Sequence, residues 1–235
     1  MLKFKLLGIE KVTLKPTVLS NLLDTAIFGY THLKLVYLPM FKHRHFILYK
    51  PYGYLSQFVN NQNKRRNKKL LGALNEFPEG TMSIGRLDET SEGLLLLTTD
   101  GKVSALVTSR KVEKEYFVQV DGIITTEAIQ ELQKGVEIGV RDKKYKTLPC
   151  EARTLNPAPT FEARTKKIRD ERHGPTSWLS VTIREGKFRQ VRKMTAAVGF
   201  PTLRLVRMRI GNIRLGKLKV GERIEVDDFK IMDRP

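Results

Sequence analysis

The sequence predicts an α+β fold built on a mixed, largely antiparallel sheet. Its 235 residues contain many short strand-like segments with a few helices between them, and they lack the regular alternation of strand and helix that a parallel sheet requires. With 40% hydrophobic residues, the chain can bury a sizeable core. Neither a Walker-type phosphate loop nor a G-x-G-x-x-G motif occurs, so nothing indicates a nucleotide cofactor.

Residues 1–44 are expected to form a peripheral or poorly ordered extension. They mix apolar and basic residues, are interrupted by Pro16 and Pro39, and show no sustained helix or strand period. A small RNA-binding module is the functional alternative, and a misread start codon is another. The main folded domain is therefore placed at residues 45–235.

From residue 45 the pattern predicts strands around one polar loop. Phe46 to Tyr49 is typical of a strand, Lys50 to Gly53 of a turn, and Tyr54 to Val59 of the returning partner strand. Leu94 to Leu97 is a continuous apolar run and predicts a buried strand. Gly101 to Arg110 carries apolar residues at helical spacing.

The second half predicts further strands and two helices. A helix over Glu127 to Lys134 is capped by Thr125 or Thr126 and stops at Gly135. A second, basic helix begins at Phe188 and stops at Gly199. Its expected apolar face consists of Phe188, Val191, Met194 (or Thr195) and Val198. Strands are predicted over residues 114–120, 136–140, 145–155, 177–184 and 203–210.

The charge of the chain points to a polyanionic partner. There are 43 Lys and Arg against 25 Asp and Glu, a formal charge of +18, and nucleic acid is the commonest polyanion. Two basic stretches are candidate phosphate-binding loops, with ordinary solvated loops as the alternative. The candidate contacts are Lys64, Arg65, Arg66, Lys68 and Lys69 in the first stretch and Arg164, Lys166 and Lys167 in the second.

Several classes of site and location are disfavoured. Cys150 is the only cysteine, which excludes an intrachain disulfide and fits a reducing, cytoplasmic setting. The four histidines show no zinc-ligand spacing, so no metal is expected. No apolar run is long enough to span a membrane, and the first residues lack a secretory signal pattern. A monomer is expected.

The loop from Gly85 to Gly93 carries a carboxylate in an unusual place. Asp88 lies on a polar loop that runs directly into the four leucines, so rigid core would anchor it. Short polar side chains also cap turns, and the alternative is that Asp88 hydrogen-bonds the backbone of Thr90 or Ser91.

Three stretches together resemble one family. Lys50 to Gly53 (KPYG), Gly85 to Thr98 (GRLDETSEGLLLLT) and Arg184 to Met194 (REGKFRQVRKM) are similar to the signature blocks of bacterial ribosomal RNA pseudouridine synthases of the RsuA/RluB/RluE/RluF type. The resemblance covers about residues 45 to 230. Many members carry an N-terminal S4-type RNA-binding domain. None is recognisable in residues 1–44, which makes the chain most similar to a large-subunit member acting on 23S rRNA.

The resemblance implies a fold and an activity. The fold is the pseudouridine synthase fold, with two sub-domains that flank a basic catalytic cleft and meet near Val112 to Glu113. The activity is isomerisation of uridine to pseudouridine in ribosomal RNA, without cofactor or metal: uracil is detached from ribose C1′, turned, and rejoined through C5. Two rivals from other classes are a non-catalytic RNA-binding or ribosome-assembly protein on the same fold and, less favoured, a DNA-binding protein.

The resemblance also implies site residues. Asp88 matches the essential carboxylate, which can act as a nucleophile or as a base and electrostatic stabiliser. Arg192 would pair with Asp88 and favour its charged form. Tyr116 would stack on the target base, and Arg86 would fill the space that the base leaves. Lys50 is a further candidate.

Each of these supporting residues has an ordinary structural alternative. Arg192 could make a structural salt bridge, Tyr116 could belong to the core, Arg86 could brace the loop, and Lys50 could be a surface charge.

The third block departs from the family at two positions. Family members often have Arg or Asn-Arg where this chain has Lys187, Phe188 and Arg189, and the phenyl ring of Phe188 offers no side-chain hydrogen bond at that site. Lys193 stands where a second arginine is common, and with Arg189 on the same helix it is expected to contact phosphate.

Overall fold

The computed structural model describes residues 42–59, 68–108, 112–168 and 171–229. The extension expected over residues 1–44 therefore lies, up to residue 41, outside the described residues. The strands are β1 (His45–Lys50), β2 (Met82–Ile84), β3 (Glu92–Thr98), β4 (Lys114–Asp121), β5 (Glu137–Val140), β6 (Lys143–Lys146), β7 (Glu151–Thr154), β8 (Thr176–Ile183), β9 (Thr202–Ile210), β10 (Ile213–Arg214) and β11 (Arg223–Val226). The helices are α1 (Gly101–Thr108), α2 (Thr126–Lys134) and α3 (Gln190–Ala197), with 3₁₀ turns at Leu71–Ala73 and Glu171–His173.

One twisted sheet organises the described residues. Its strands follow the order β11-β1-β3-β9-β4-β8-β7, with β2 beside β3 and β10 beside β9, while β5 and β6 form a separate hairpin. Neighbouring strands pair antiparallel except β3 and β9, which are parallel. The predicted α+β class with a largely antiparallel sheet is confirmed. The expected sub-domain boundary near residue 112 falls just before β4, and the β3–β9 pairing carries the sheet across it.

The four-leucine run is buried on both faces of the sheet. Leu94 and Leu96 join a cluster with Ile47 on one face, whereas Leu95 and Leu97 join a separate cluster with Phe46, Leu48 and Leu71. All four leucines are fully buried. Each contributes roughly 1.5–3 kcal/mol of transfer free energy. A strand covered on both faces needs no polar alternation, which explains why the run is continuous.

Gly93 marks the point where the Asp88 loop enters the sheet. Its φ is +101°, in the left-handed region that favours glycine. A Cβ at this position would lie 2.7 Å from the Arg207 backbone nitrogen and closer still to its oxygen. The absence of a side chain therefore permits the parallel contact in which Gly93 lies opposite Arg207.

A second core lies under the other half of the sheet. Alternate residues of β4, such as Val118 and Val120, pack there with Leu132 of α2 and Met194 of α3. The predicted start of α2 is confirmed, because the Thr125 side chain accepts a hydrogen bond from the Ala128 amide.

Three predicted elements need correction. Tyr54 to Val59 does not return as a strand beside β1, which pairs instead with β3 and β11; only Tyr54 makes a bridge, with Lys69. The strand expected over residues 145–155 is two strands, β6 and β7, that belong to different sheets. Phe188 precedes α3 and is 69% exposed, so it is not part of the apolar helix face.

In the part of the chain that the structure describes, no helix is both long and apolar enough to cross a bilayer.

Candidate active site

The loop that carries Asp88 is held by a buried serine. The Ser56 hydroxyl donates to the Leu87 carbonyl at 2.8 Å and accepts from the Leu87 amide at 3.0 Å, so it fixes both backbone polar groups of the residue before Asp88. Ser56 is only 3% exposed. The turn itself is closed by the backbone, since the Ser91 amide donates to the Asp88 carbonyl oxygen at 3.0 Å. The Asp88 side chain is 24% exposed.

Arg189, rather than Arg192, forms the ion pair with Asp88. The Arg189 Nη1 lies 3.9 Å from Asp88 Oδ2. The pairing expected for Arg192 is wrong: its Nη2 donates to the Thr90 carbonyl at 2.8 Å and lies 3.4 Å from Ser91 Oγ. Arg192 therefore hydrogen-bonds the backbone of the Asp88 loop, whereas Arg189 pairs with the carboxylate.

The charge of Asp88 still affects the pKa of Arg192. Burial, followed by the positive charge of Arg189, lowers the pKa of Arg192 to about 10, while Asp88 acts in the opposite direction. The guanidinium remains charged at neutral pH. Its Nε is buried without a hydrogen-bond partner among the described residues.

Arg189 adopts an unusual backbone conformation. It is the N-cap of α3, with φ 52° and ψ 35°, a left-handed geometry that costs a non-glycine residue on the order of 1–3 kcal/mol. Two buried polar residues hold this corner: Gln190 Nε2 donates to Glu185 Oε1 at 2.7 Å, and the Lys187 amide donates to Gln190 Oε1 at 2.9 Å. Glu185 also accepts from the Tyr145 hydroxyl at 2.6 Å. The hydrogen bonds within the REGKFRQ block therefore fix the backbone that places Arg189 beside Asp88.

Lys50 is an internal residue. It is fully buried, and its ammonium donates to the carbonyls of Pro51 (2.9 Å) and Ser91 (2.8 Å). Burial lowers the pKa of Lys50 to about 7, partly opposed by Glu92 and Asp88. The surface-charge alternative is wrong, and a role for Lys50 in the site stays a prediction. Lys50 instead ties the KPYG turn to the Asp88 loop.

Tyr116 and Arg86 lie close to the loop in different environments. Tyr116 is 8% exposed and belongs to the same buried cluster as Leu87. Arg86 is exposed, two residues before Asp88. Base stacking by Tyr116 and space filling by Arg86 stay predictions.

The first basic stretch is described only in part. Lys64, Arg65 and Arg66 lie outside the described residues. Lys68 forms a salt bridge of 2.7 Å with Glu89, next to Asp88, and its role as a phosphate contact stays a prediction. Lys69 is exposed, with its ammonium 5.5 Å from the centre of the Tyr54 ring.

The second basic stretch approaches the site through Arg164. Its guanidinium lies 4.6 Å above the Tyr52 ring and 3.4 Å from the Leu203 carbonyl. Its charge is among those that lower the pKa of Arg192. Lys166 and Lys167 are exposed and keep their expected role as phosphate contacts. The sequence did not indicate a role for Tyr52, although it stands inside the KPYG block.

Two buried arginines were also missed. Arg204 forms a bidentate pair with Glu92, at 3.0 and 2.8 Å, and both side chains are almost fully buried. Arg207 donates to the Leu94 carbonyl at 2.7 Å. The one available signal was Glu92, a carboxylate directly before an apolar run, which needs a buried partner.

These contacts bring together a carboxylate, a cation beside it and a basic surround. Among the described residues, no donor hydrogen-bonds the Asp88 carboxylate, so its oxygens can meet a substrate. No group of three or more His, Cys, Asp or Glu in the described ranges has the arrangement of a metal site. The arrangement suits acid-base or nucleophilic chemistry on an anionic substrate.

Comparison with known proteins defines the class. The model of the RNA pseudouridylate synthase family matches residues 44–197, which include Asp88 and Arg189, and the chain belongs to this family. This confirms the resemblance found in the three sequence blocks.

Individual relatives refine the comparison. The chain is 41% identical to the ribosomal large subunit pseudouridine synthase E of Vibrio parahaemolyticus, over 77% of this chain and 72% of the relative. It is 44% identical to the enzyme of the same name from Xanthomonas axonopodis pv. citri, over 73% and 88%. A solved pseudouridylate synthase superposes with a TM-score of 0.62 at 27% identity, covering 78% of this chain and 70% of that one.

Proposed function

We propose that this protein isomerises uridine to pseudouridine in the RNA of the large ribosomal subunit, acting as a monomer in the cytoplasm. Family membership and relatives named ribosomal large subunit pseudouridine synthase E support this assignment. The observation that carries it is Asp88, a carboxylate with no hydrogen-bond donor among the described residues, on a clamped loop 3.9 Å from Arg189.

The reaction conserves all atoms. The bond between uracil N1 and ribose C1′ breaks, and a bond between C5 and C1′ forms. C5 loses a proton and N1 gains one, so the product is an isomer and nothing is oxidised or reduced. Asp88 acts at the sugar, either as a nucleophile on C1′ or as a base and stabiliser of positive charge. Both roles need an ionised carboxylate, and the Arg189 guanidinium lies 3.9 Å from it.

The target nucleotide must leave its stack to reach Asp88. Extrusion costs a few kcal/mol, least for a base that is already unpaired. Arg86 is exposed beside the site, where its planar guanidinium would stack in the vacated space. Tyr116 would stack on the uracil from the cluster that contains Leu87.

Binding rests largely on phosphate contacts. The formal charge of +18 predicts affinity that falls steeply with salt. Of the predicted phosphate contacts, Lys69, Lys166 and Lys167 are exposed, and Lys193 is half-buried. Lys193 also donates to the Gly139 carbonyl.

The test uses ribosomal RNA labelled with tritium at uracil C5, taken from cells that lack the gene. Wild-type protein should release tritium as C5 loses its hydrogen, and sequencing should place one new pseudouridine in the large-subunit RNA. Asp88→Asn should release none, because an amide cannot replace the carboxylate, yet should bind the RNA as the wild type does.

The controls separate the rival functions. A non-catalytic RNA-binding protein would bind equally well with and without Asp88 and would release no tritium in either form. Release confined to small-subunit RNA would overturn the substrate assignment and leave the chemistry intact.

A further inference from the structure

The corner before α3 exposes an aromatic ring. Phe188 is 69% exposed, the highest value among the exposed large hydrophobic side chains of the described residues. It does not continue the buried face of α3, which consists of Gln190, Val191, Met194 and Thr195. The ring is accessible to a partner, and covering it would recover the transfer free energy that exposure forgoes.

One cation contacts this ring, and two more are its neighbours in sequence. The Lys193 ammonium lies 5.3 Å from the ring centre and is tethered to the Gly139 carbonyl. Lys187, on the other side in sequence, lies 4.6 Å above the Tyr145 ring. Arg189 follows directly and reaches Asp88. A partner of Phe188 therefore meets positive charge together with a flat apolar surface.

Unpaired RNA fits both properties. Its bases offer π faces that stack on aromatic side chains, and its phosphates neutralise neighbouring lysines. Since Arg189 and Phe188 are adjacent, a strand that places its uridine at Asp88 carries a flanking nucleotide past the ring. The hydrogen bond that the family's polar residue could offer here is replaced by a stacking surface.

We propose that Phe188, with Lys193 beside it, forms a subsite for an unpaired nucleobase next to the target uridine. The proposal rests on the proposed function and adds a specificity-determining residue to it. Stacking on one aromatic side chain corresponds to about a 5- to 150-fold effect on affinity. The same residue departs from the family pattern, so the subsite would distinguish this chain from members with a polar residue there.

The experiment measures RNA affinity in the Asp88→Asn background, where no turnover occurs. Phe188→Ala should weaken binding of large-subunit RNA about tenfold, within the range for one lost stack. Phe188→Leu keeps the apolar volume and should weaken binding as much. Phe188→Tyr keeps the ring and should bind as wild type. Ile123→Ala is the matched control, because Ile123 is 60% exposed and has no basic neighbour in sequence.

The outcomes separate the possibilities. Wild-type affinity for Phe188→Leu would overturn the stacking subsite, and the ring would then serve an ordinary apolar contact, including one with a protein. Equal losses for Phe188→Ala and Ile123→Ala would overturn it as well. Because affinity is read without catalysis, failure of tritium release by the wild type would count against the proposed function alone.

Discussion

Two carboxylates of nearly equal exposure are paired in opposite ways. Asp88 is 24% exposed and Glu113 is 25% exposed. Glu113 accepts charge-assisted hydrogen bonds from Arg184 at 2.6 Å and from Arg209 at 3.2 Å. Among the described residues, Asp88 has only the looser contact of 3.9 Å with Arg189.

The difference follows from what each carboxylate has to do. A hydrogen-bonded ion pair occupies the oxygen lone pairs and fixes both side chains, which suits Glu113 at the sheet surface. A reactive carboxylate needs a nearby positive charge but free oxygens. At the Asp88 loop, Arg192 and Lys50 donate to backbone carbonyls and not to the carboxylate. The loop is therefore held in place while the Asp88 oxygens stay available to substrate.

The largest effect is expected at the buried pair below the Asp88 loop. Glu92→Gln leaves the Arg204 charge without its partner in the core, so the free energy of unfolding should fall by roughly 3–5 kcal/mol. Denaturant titration measures it. The double variant Glu92→Gln/Arg204→Met removes the stranded charge and should recover part of the loss. No recovery would show that the pair does not act as a unit.

Removing one arginine beside each carboxylate should affect activity at Asp88 and stability at Glu113. Arg189→Met removes the cation beside Asp88 and should lower the rate of pseudouridine formation about 100-fold, the usual effect of one lost electrostatic stabiliser. Its unfolding free energy should change little. Arg209→Met removes a hydrogen-bonded cation from Glu113 and should cost about 1 kcal/mol of stability with normal activity. Equal activities in single-turnover assays would contradict the comparison.

Lys50 should give stability a distinctive pH dependence. Its pKa falls from 10.5 in the unfolded chain to about 7 in the fold. The unfolded chain therefore binds more protons between these values, and stability rises with pH across this window. From pH 7 to pH 9, the wild type should gain about 2 kcal/mol relative to Lys50→Met. Parallel pH profiles from chemical denaturation would contradict a buried amine at this position.

The smallest effect compares two serines with the same contacts. Ser56 bridges the amide and carbonyl of Leu87, and Ser177 likewise accepts from the Ile124 amide and donates to the Gly122 carbonyl. Replacing either with Ala should cost about 1–2 kcal/mol. Only Ser56→Ala should also lower the rate at saturating RNA, with the Michaelis constant unchanged. An equal rate loss in Ser177→Ala would mean that lost stability alone explains it.

Local patterns predicted much of the fold. The leucine run of β3, the alternation of β4 and the cap of α2 follow from neighbours in sequence, and all are confirmed. Tyr54 to Val59 was wrong because strand pairing is decided by distant partners: β1 is occupied by β3 and β11. The burial of Arg204 likewise depends on Glu92, 112 residues away.

The site was predicted in outline and wrong in its pairing. The three sequence blocks identify Asp88 and the arginine-bearing helix, but two arginines three positions apart both point toward the loop. The choice between them depends on the left-handed backbone of Arg189. That conformation is set by the buried Glu185 and Gln190 contacts, which no local pattern indicates. The same corner turns Phe188 outward.

Gly93 leaves almost no room for a side chain at the point where the Asp88 loop joins the sheet. Even a methyl group there would push apart the only parallel strand pair among the described strands, next to the loop that holds Asp88. Random mutagenesis would therefore score this position as essential for activity although it touches no substrate. In relatives that act on a different RNA, we expect substitutions among the residues around the site, whereas Gly93 should remain glycine.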